Sequence, residues 1–418
     1  MGKKSIKEVG TLFWYTPFIL VNMVVGASSV LTTLVALSLG ASVAEIGLMT
    51  SAGAVATIIF STVWGRLSDM SGVRKNYLVF FFAALGPLYV LLGLASSVLQ
   101  LVLLNTLIMA FTSGVTPIAV MYVVESCKTK DWHGEVAKYN SITNFGAIVG
   151  LIVSTVVSAF FRTSLSFYLM SAFCILAAIT LWKVGEEAKI TFERHVFPIR
   201  SFRDAERLLL HRSFFHYLKL RRVQLPRRLN QFKPLQLLFL ACFIQWLGIF
   251  SFMIGQVPIM KDLKLSDSTI LAINAVTGTS AAVAFSKIAP AVKTNHKRLI
   301  SSMTILRTAL ILYWSAFPIF FIYPVQYVFV FPLLSSIAFP ITYAIMWLPI
   351  VTSAISFAPP NRRGATQGEL LSIFAIANAV GSAIGGYMIS TFGYTIGFAV
   401  AAMFTLLSAP IFSRIDLE

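Results

Sequence analysis

The chain predicts an all-α polytopic membrane protein with twelve transmembrane helices in two pseudo-symmetric six-helix bundles, and three observations predict it. Hydrophobic residues make up 57% of the 418 residues and charged residues only 12%, against about half and about a quarter in soluble domains. Apolar runs long enough to cross a hydrocarbon core, which takes about 20 residues, recur twelve times, six on each side of one long polar stretch. The basic residues fall almost wholly on alternate connections, as in a chain threaded back and forth through a membrane.

The first run, 12–39, follows MGKKSIKEVG. It has no small-residue cleavage site and is too long for the apolar core of a signal peptide, so it reads as an uncleaved first span. The second, 42–64, opens on Ser42-Val-Ala-Glu45, the Ser-x-x-Glu spacing in which both side chains satisfy orphan amides at a helix start. Capping therefore explains Glu45. Spans three to six follow at 77–95, 98–124, 137–161 and 164–182, the fifth carrying Gly146 and Gly150 at a four-residue spacing that lets helices approach closely. Residues 185–233 are basic, with Leu208, Leu209, Phe215 and Leu218 among the arginines. They fit either an amphipathic helix on the inner leaflet or a solvated linker.

The remaining spans are expected at 234–260, 270–289, 299–322, 325–358, 365–391 and 394–412. Pro332, Pro340 and Pro349 predict kinks in the tenth, and Gly381, Gly385 and Gly386 repeat the small-residue spacing in the eleventh. Ser42, Ile46 and Arg74 meet Ser266, Ile270 and Arg298 at a constant offset of 224 residues, so the halves read as a duplication. The division is then 1–184 for the N-terminal bundle, 185–233 for the basic linker and 234–418 for the C-terminal bundle.

With both termini inside, the inner segments hold 29 of the 33 Lys and Arg residues, and the outer loops hold only Arg162, Lys261 and Lys264. This predicts a multi-pass protein of the cell membrane with both termini cytoplasmic. Lipid headgroups account for the net charge of +17 without nucleic acid. Cys127, Cys174 and Cys242 are scattered, and all five histidines fall on inner loops, so neither a metal site nor a cofactor is expected. No phosphate-binding Gly-x-x-x-x-Gly-Lys motif is present, which argues against an ATP-driven pump.

Residues 65–75 read Gly-Arg-Leu-Ser-Asp-Met-Ser-Gly-Val-Arg-Lys. A connection this short between two spans needs glycines for positive φ or close approach. Asp69 is an anion at the membrane face that a helix amino terminus or an Arg can hold and release, a breakable latch. The spacing of Gly65, Leu67, Ser68, Asp69, Gly72, Arg74 and Lys75 resembles the signature loop of the major facilitator superfamily, with Met70 in place of the usual basic residue. The resemblance implies a transporter rather than an enzyme, with its substrate near the bilayer midplane and the two halves rocking about it. It also implies that the gating set is completed by Arg362 and Arg363 at the inner end of helix 11. The run Leu104–Glu125 resembles the family's fourth helix, with Pro117 and Glu125 in register, but Asn105 stands where many relatives carry a buried Arg linked to proton coupling. Leu151 stands where the drug-antiporter branches carry Pro, so that signature is incomplete.

Ionisable residues inside spans are costly and therefore informative. Arg307 in the ninth span either pairs with a neighbouring polar group or touches substrate. Glu369, near the inner end of the eleventh, is the candidate coupling carboxylate, with a structural or gating role as the alternative. The expected cavity is otherwise neutral and aromatic: Asn22, Asn105, Asn144, Gln245, Trp246, Gln256, Asn274, Tyr343, Trp347 and Asn378, with hydroxyls such as Ser29, Thr33, Thr112 and Thr277. Such a pocket suits a neutral or amphipathic organic molecule. The expected function is ion-coupled efflux of amphipathic compounds by a monomer, with protons or another ion and membrane lipids as further partners. Uptake or facilitated diffusion of a sugar or metabolite is the alternative. An integral membrane enzyme acting on lipid-linked substrates is the rival from another class, and the one dense acidic set it would need, Glu186, Glu187 and Glu193, sits among arginines.

Overall fold

The computed structural model describes residues 11–127, 132–187, 234–289, 296–316, 329–358 and 363–415. Six helices make up the N-terminal half: α1 (Thr11–Ser38), α2 (Val43–Ser71), α3 (Lys75–Gly93), α4 (Val98–Ser126), α5 (Trp132–Phe160) and α6 (Leu165–Val184). The second half holds α7 (Pro234–Asp262), α8 (Asp267–Val283) with a π-helical turn at Ala284–Ile288, α9 (His296–Ser315) and α10 (Val330–Ser356). The last helical run, Arg363–Phe412, is broken at Gly393 (φ 81°, ψ 171°). We number its legs α11, residues 363–392, and α12, residues 394–412. The twelve helices among the described residues are compatible with the twelve expected spans. Ten helical runs, the last of them covering both α11 and α12, are long and apolar enough to cross a membrane, and α9, with Lys297, Arg298 and Arg307, stands apart.

Local chemistry accounts for the helix ends. Ser42 and Glu45 form the expected capping box: the Ser42 hydroxyl accepts from the Glu45 N–H and the Glu45 carboxylate accepts from the Ser42 N–H. Its counterpart in the second half, Ser266, accepts from the Thr269 N–H. One boundary differs from expectation. The second span continues seven residues past 64, so Gly65 and Asp69 lie in the last turns of α2 rather than in a loop. Gly72 turns the chain, with φ 65° and its N–H bonded to the Ser68 carbonyl. Gly65 has neither a positive φ nor any atom within 4 Å of where a Cβ would stand.

Close helix packing repeats between the halves. A Cβ on Gly146 of α5 would lie 2.7 Å from the Ile19 carbonyl oxygen of α1, and a Cβ on Gly381 of α11 would lie 2.6 Å from the Leu247 carbonyl oxygen of α7. One turn on, Gly150 meets the Met23 carbonyl and Gly385 the Ser251 carbonyl. These glycines are helix-packing residues, where loss of the side chain lets backbones touch.

Helices α2 with α11, and α5 with α8, join the halves. The apolar core of the N-terminal half runs without interruption into Phe252, Ile259, Leu265, Ile270, Ile389 and Phe398, which lie at the end of the molecule away from the start of α1. A separate core, including Leu238, Trp246, Ile350, Leu370 and Phe412, fills the opposite end of the C-terminal half. We call these the far and near ends. Apolar packing therefore joins the two halves at the far end.

Candidate functional site

A charge cluster lies at the near end. Arg74, between Gly72 and α3, is 2% exposed, and its Nη2 donates to Asp69 Oδ1 at 2.7 Å and to Glu125 Oε1 at 3.2 Å. Nη1 donates to the Ser68 hydroxyl at 2.7 Å, and Nε lies 3.3 Å from Glu125 Oε2. Burial by itself would lower the Arg74 pKa, but the hydrogen bonds and charges of Glu125 and Asp69 outweigh it and leave the guanidinium above its ordinary value. The two acids differ in setting: the Asp69 side chain is 57% exposed and that of Glu125 only 7%. Glu187, after α6, accepts from the backbone N–H groups of Arg74 and Lys75. It thus occupies the amino terminus of α3, where the helix dipole favours a carboxylate.

Sequence reasoning missed the roles of Glu125 and Glu187. Glu125 closes a 29-residue helix that carries no other charge, and an isolated acid beside a membrane face was the available signal. Glu187 belonged to the acidic set that a membrane enzyme would need, and here it caps a helix. Arg362, the expected partner of Asp69, lies outside the described residues, and of Arg363 only the backbone at the start of α11 is described. Residues 188–233, which hold most of the basic linker and Glu193, also lie outside them.

Between the halves is a cavity of about 210 Å³ lined by α1, α2, α4 and α11. The N-terminal half contributes Ser29, Thr32, Thr33, Met49, Thr50, Gly53, Ala54, Thr57, Asn105 and Met109, and α11 contributes Phe374, Ala375 and Asn378. None of these side chains titrates. The threonine hydroxyls donate to carbonyls one turn back, Thr32 to Ser28, Thr33 to Ser29, Thr50 to Ile46 and Thr57 to Gly53. Each keeps oxygen lone pairs to offer as acceptors. Asn105 is 5% exposed and its Nδ2 lies 3.4 Å from the Met49 carbonyl. Asn378 accepts from the Ser382 hydroxyl through Oδ1 at 3.0 Å, which leaves its amide nitrogen as a donor.

An aromatic wall continues from Phe374 into the C-terminal half. The Phe374 ring packs edge-on against Trp246 (centroids 4.9 Å apart) and Phe250 (4.9 Å). Trp246 packs on Trp347 at 5.3 Å, and Trp347 stacks on Tyr343 at 5.7 Å. The π-helical turn after α8 brings Phe285 edge-on to Tyr343 at 5.7 Å.

Of the residues expected in the cavity, Asn105 and Asn378 line it, with Ser29 and Thr33. The structure places the others elsewhere. Gln245 is fully buried between α7, α9 and α10, donating to Thr304 at 3.2 Å and to the Met346 sulfur. Trp246, Tyr343 and Trp347 form the aromatic wall behind Phe374. Asn22 and Asn274 donate to the carbonyls of Phe18 and Ile270 within their own helices, Gln256 is half-buried and Asn144 is exposed. Thr32, Thr50, Thr57 and Met109 were not expected, because a helix's cavity face is set by its rotation in the bundle. Glu369 is exposed, without the burial a coupling carboxylate in a dry cavity would have.

Arg307 is 2% exposed. Its guanidinium carbon lies 4.2 Å from the Phe339 ring centroid and 5.5 Å from that of Tyr343. Desolvated cation–π contacts contribute about 2 kcal/mol. Among the described residues the expected polar partner is not found: Nε and Nη1 are buried without a hydrogen-bond acceptor there.

The far end of the cavity is sealed by contacts between the halves. A Cβ on Gly47 of α2 would lie 2.5 Å from the Ser382 carbonyl oxygen and 2.9 Å from the Gly386 Cα of α11. The Thr163 hydroxyl, between α5 and α6, donates to Asp267 at the start of α8, which also pairs with Lys261.

No curated protein sequence matches the chain. Among solved structures, the nucleoside transporter NupG is similar with a TM-score of 0.69 at 13% identity, over 96% of this chain and 98% of its own. A bacterial homologue of the human lysosomal transporter Spinster, in an inward-facing and unoccupied conformation, is similar with a TM-score of 0.68 at 16% identity, over 99% and 98%. The peptide transporter POT is similar with a TM-score of 0.69 at 12% identity, over 96% and 93%. At these identities the likeness is one of fold. The sequence pattern of the Major Facilitator Superfamily, however, matches residues 15–346, and on that match the chain belongs to this superfamily of membrane transporters.

Proposed function

We propose that the protein is a secondary transporter of amphipathic organic solutes, working by alternating access and exporting them from the cytoplasm against an ion gradient. The observation that carries this reading is the cavity's composition. One wall offers threonine hydroxyls and the Asn105 amide, and the other offers Phe374 backed by four further aromatic rings. A solute with a flat apolar part and one or two polar groups satisfies both walls, whereas a heavily hydroxylated sugar would leave polar groups against the rings.

On this reading the rocking units are bundles 1–184 and 234–418, joined by the basic linker 185–233, in a cell membrane with both termini cytoplasmic. The near end then faces the cytoplasm and the far-end seal closes the outside. Gly65, Asp69, Gly72, Arg74 and Lys75, with Arg362 and Arg363, form the cytoplasmic gate, made and broken once per cycle. Glu369, on α11 nine residues before Asn378 and so about 13 Å away along the helix, is the coupling carboxylate at the cytoplasmic mouth.

The absence of any titratable side chain among the described cavity-lining residues favours a second reading, a facilitator with no coupled ion. One experiment separates the two. Proteoliposomes carrying a luminal pH dye are given a panel of amphipathic cations, organic acids, neutral drugs and sugars, with Glu369→Gln in parallel. Export coupled to protons requires a pH signal that depends on both the solute and Glu369. Solute flux with no pH signal, unaffected by Glu369→Gln, establishes the facilitator. Flux of sugars alone overturns the amphipathic specificity.

A further inference from the structure

Arg307 holds a buried charge for which the described residues provide no counter-ion. It sits midway along α9 at 2% exposure, and no Asp or Glu among the described residues pairs with it. Its guanidinium carbon lies over the rings of Phe339 and Tyr343. A ring face offers electrostatic attraction but no in-plane acceptor, so Nε and Nη1 keep their protons uncommitted. A charge left this way in the low-dielectric interior is costly, and chains that keep one inside the membrane use it.

The position is connected to the cavity. Tyr343, half-buried, stacks on Trp347, Trp347 packs on Trp246, and Trp246 packs on Phe374, which lines the cavity. Tyr343 is the ring of this row that reaches the guanidinium, its centroid 5.5 Å from the guanidinium carbon. Gln245, whose Nε2 donates to Thr304 one turn before Arg307, has its own Oε1 buried without a partner. Unspent donors and an unspent acceptor thus occur in one layer of the C-terminal half.

We propose that Arg307 is the anion-recognition residue of the transport site and binds the carboxylate of an aromatic organic acid whose ring lies against Tyr343, Trp347 and Phe374. The charge count selects the class. A single guanidinium with no second basic side chain in the ring cluster of Phe339, Tyr343, Trp347 and Trp246 among the described residues matches a monoanion, whereas a phosphate dianion calls for more positive charge. The apolar wall selects a ring over an aliphatic or sugar acid. This deepens the proposed function and rests on the reading of the cavity as the solute pathway.

The test measures binding to the purified full chain in nanodiscs with a matched pair of probes, 1-naphthaleneacetate and its primary amide, equal in shape and differing in charge. The wild type is expected to bind the acid at least about tenfold more tightly than the amide, and Arg307→Gln to bring the two within about twofold. Arg307→Lys, which keeps the charge but loses the fork, should retain part of the preference. It serves as the test if Arg307→Gln fails to fold. The ratio is diagnostic because a purely structural arginine, when removed, weakens both probes alike.

Ala375→Trp, which fills the cavity, should abolish binding of both. If Ala375→Trp abolishes binding but Arg307→Gln leaves the acid preference intact, the assignment of Arg307 is wrong and the cavity reading stands. If Ala375→Trp leaves both probes bound, the cavity is not the solute site and both readings fall. Equal affinity for the two probes in the wild type, or no binding of either, also overturns the assignment.

Discussion

Gly47 of α2 and Gly386 of α11 meet backbone to backbone, with 2.9 Å between the Gly386 Cα and the position of a Cβ on Gly47. The two helices come from opposite halves, and the contact lies at the far end of the cavity. A side chain at either position fits only if the halves part there, because the neighbouring atoms on both sides are backbone.

Gly386→Leu is therefore expected to open the far end. Transport should fall by about tenfold or more as the equilibrium between the two access states shifts. A cysteine introduced at Ser29, in a background lacking the native ones, should become reactive to an impermeant reagent added from outside. Unchanged labelling would mean that this glycine pair is not the seal.

Glu125→Gln and Asp69→Asn remove one negative charge each from the two partners of Arg74, in different surroundings. Removing the buried partner, Glu125, should cost about 3 kcal/mol of stability. Removing the exposed partner, Asp69, should cost about 0.5 kcal/mol, since water screens that pair. Transport has the opposite emphasis: Asp69→Asn is expected to cut it while leaving solute binding in place. Thermal unfolding in detergent and flux in liposomes, measured on the same preparations, check both halves of the prediction.

Asn105→Leu and Asn378→Leu each delete an amide from the cavity while keeping the heavy-atom count and branching of the side chain. Each should raise KM by about tenfold, the loss of a hydrogen bond worth about 1.4 kcal/mol, with a smaller change in kcat. If solute affinity is indifferent to both, solutes do not bind in this cavity.

Gly150→Ala and Gly385→Ala put a methyl group into a neighbouring carbonyl, of Met23 and Ser251 respectively. Overpacking of this kind costs about 1–3 kcal/mol, and the repeated geometry predicts similar losses in the two halves. Gly65→Ala should instead leave the protein as stable or add up to about 1 kcal/mol, because Gly65 is helical and its surroundings are open. Loss of transport in Gly65→Ala without loss of stability would place the role of that glycine in the other access state.

Much of the architecture was legible before any coordinates. The apolar runs, the Ser42 and Glu45 capping box and the small-residue spacing of α5 and α11 each rest on local chemistry; the capping box and the glycine packing are found, and the described helices are compatible with twelve spans. The end of α2 was misplaced because a basic, glycine-containing stretch reads as a loop. Only the positive φ of Gly72 marks where the helix stops. The cavity was legible in type but not in membership. Neutral polar groups and aromatics were expected, but of the ten principal residues named, Asn105 and Asn378 line it.

The sequence by itself determined that this chain is an all-α polytopic membrane protein with a duplicated plan and a transporter's signature turn. Hydrophobic length, charge asymmetry and motif spacing are properties of the chain, read one segment at a time. The tertiary structure alone decided which face of each helix meets its neighbours. That rotation placed Glu125 beside Arg74, aligned Gly47 with Gly386 and set Arg307 against the rings of Phe339 and Tyr343 with Nε and Nη1 unpartnered among the described residues. A helix in a membrane has apolar residues on every side, so its sequence carries little amphipathic signal to fix the rotation. Packing against the neighbouring helices supplies it.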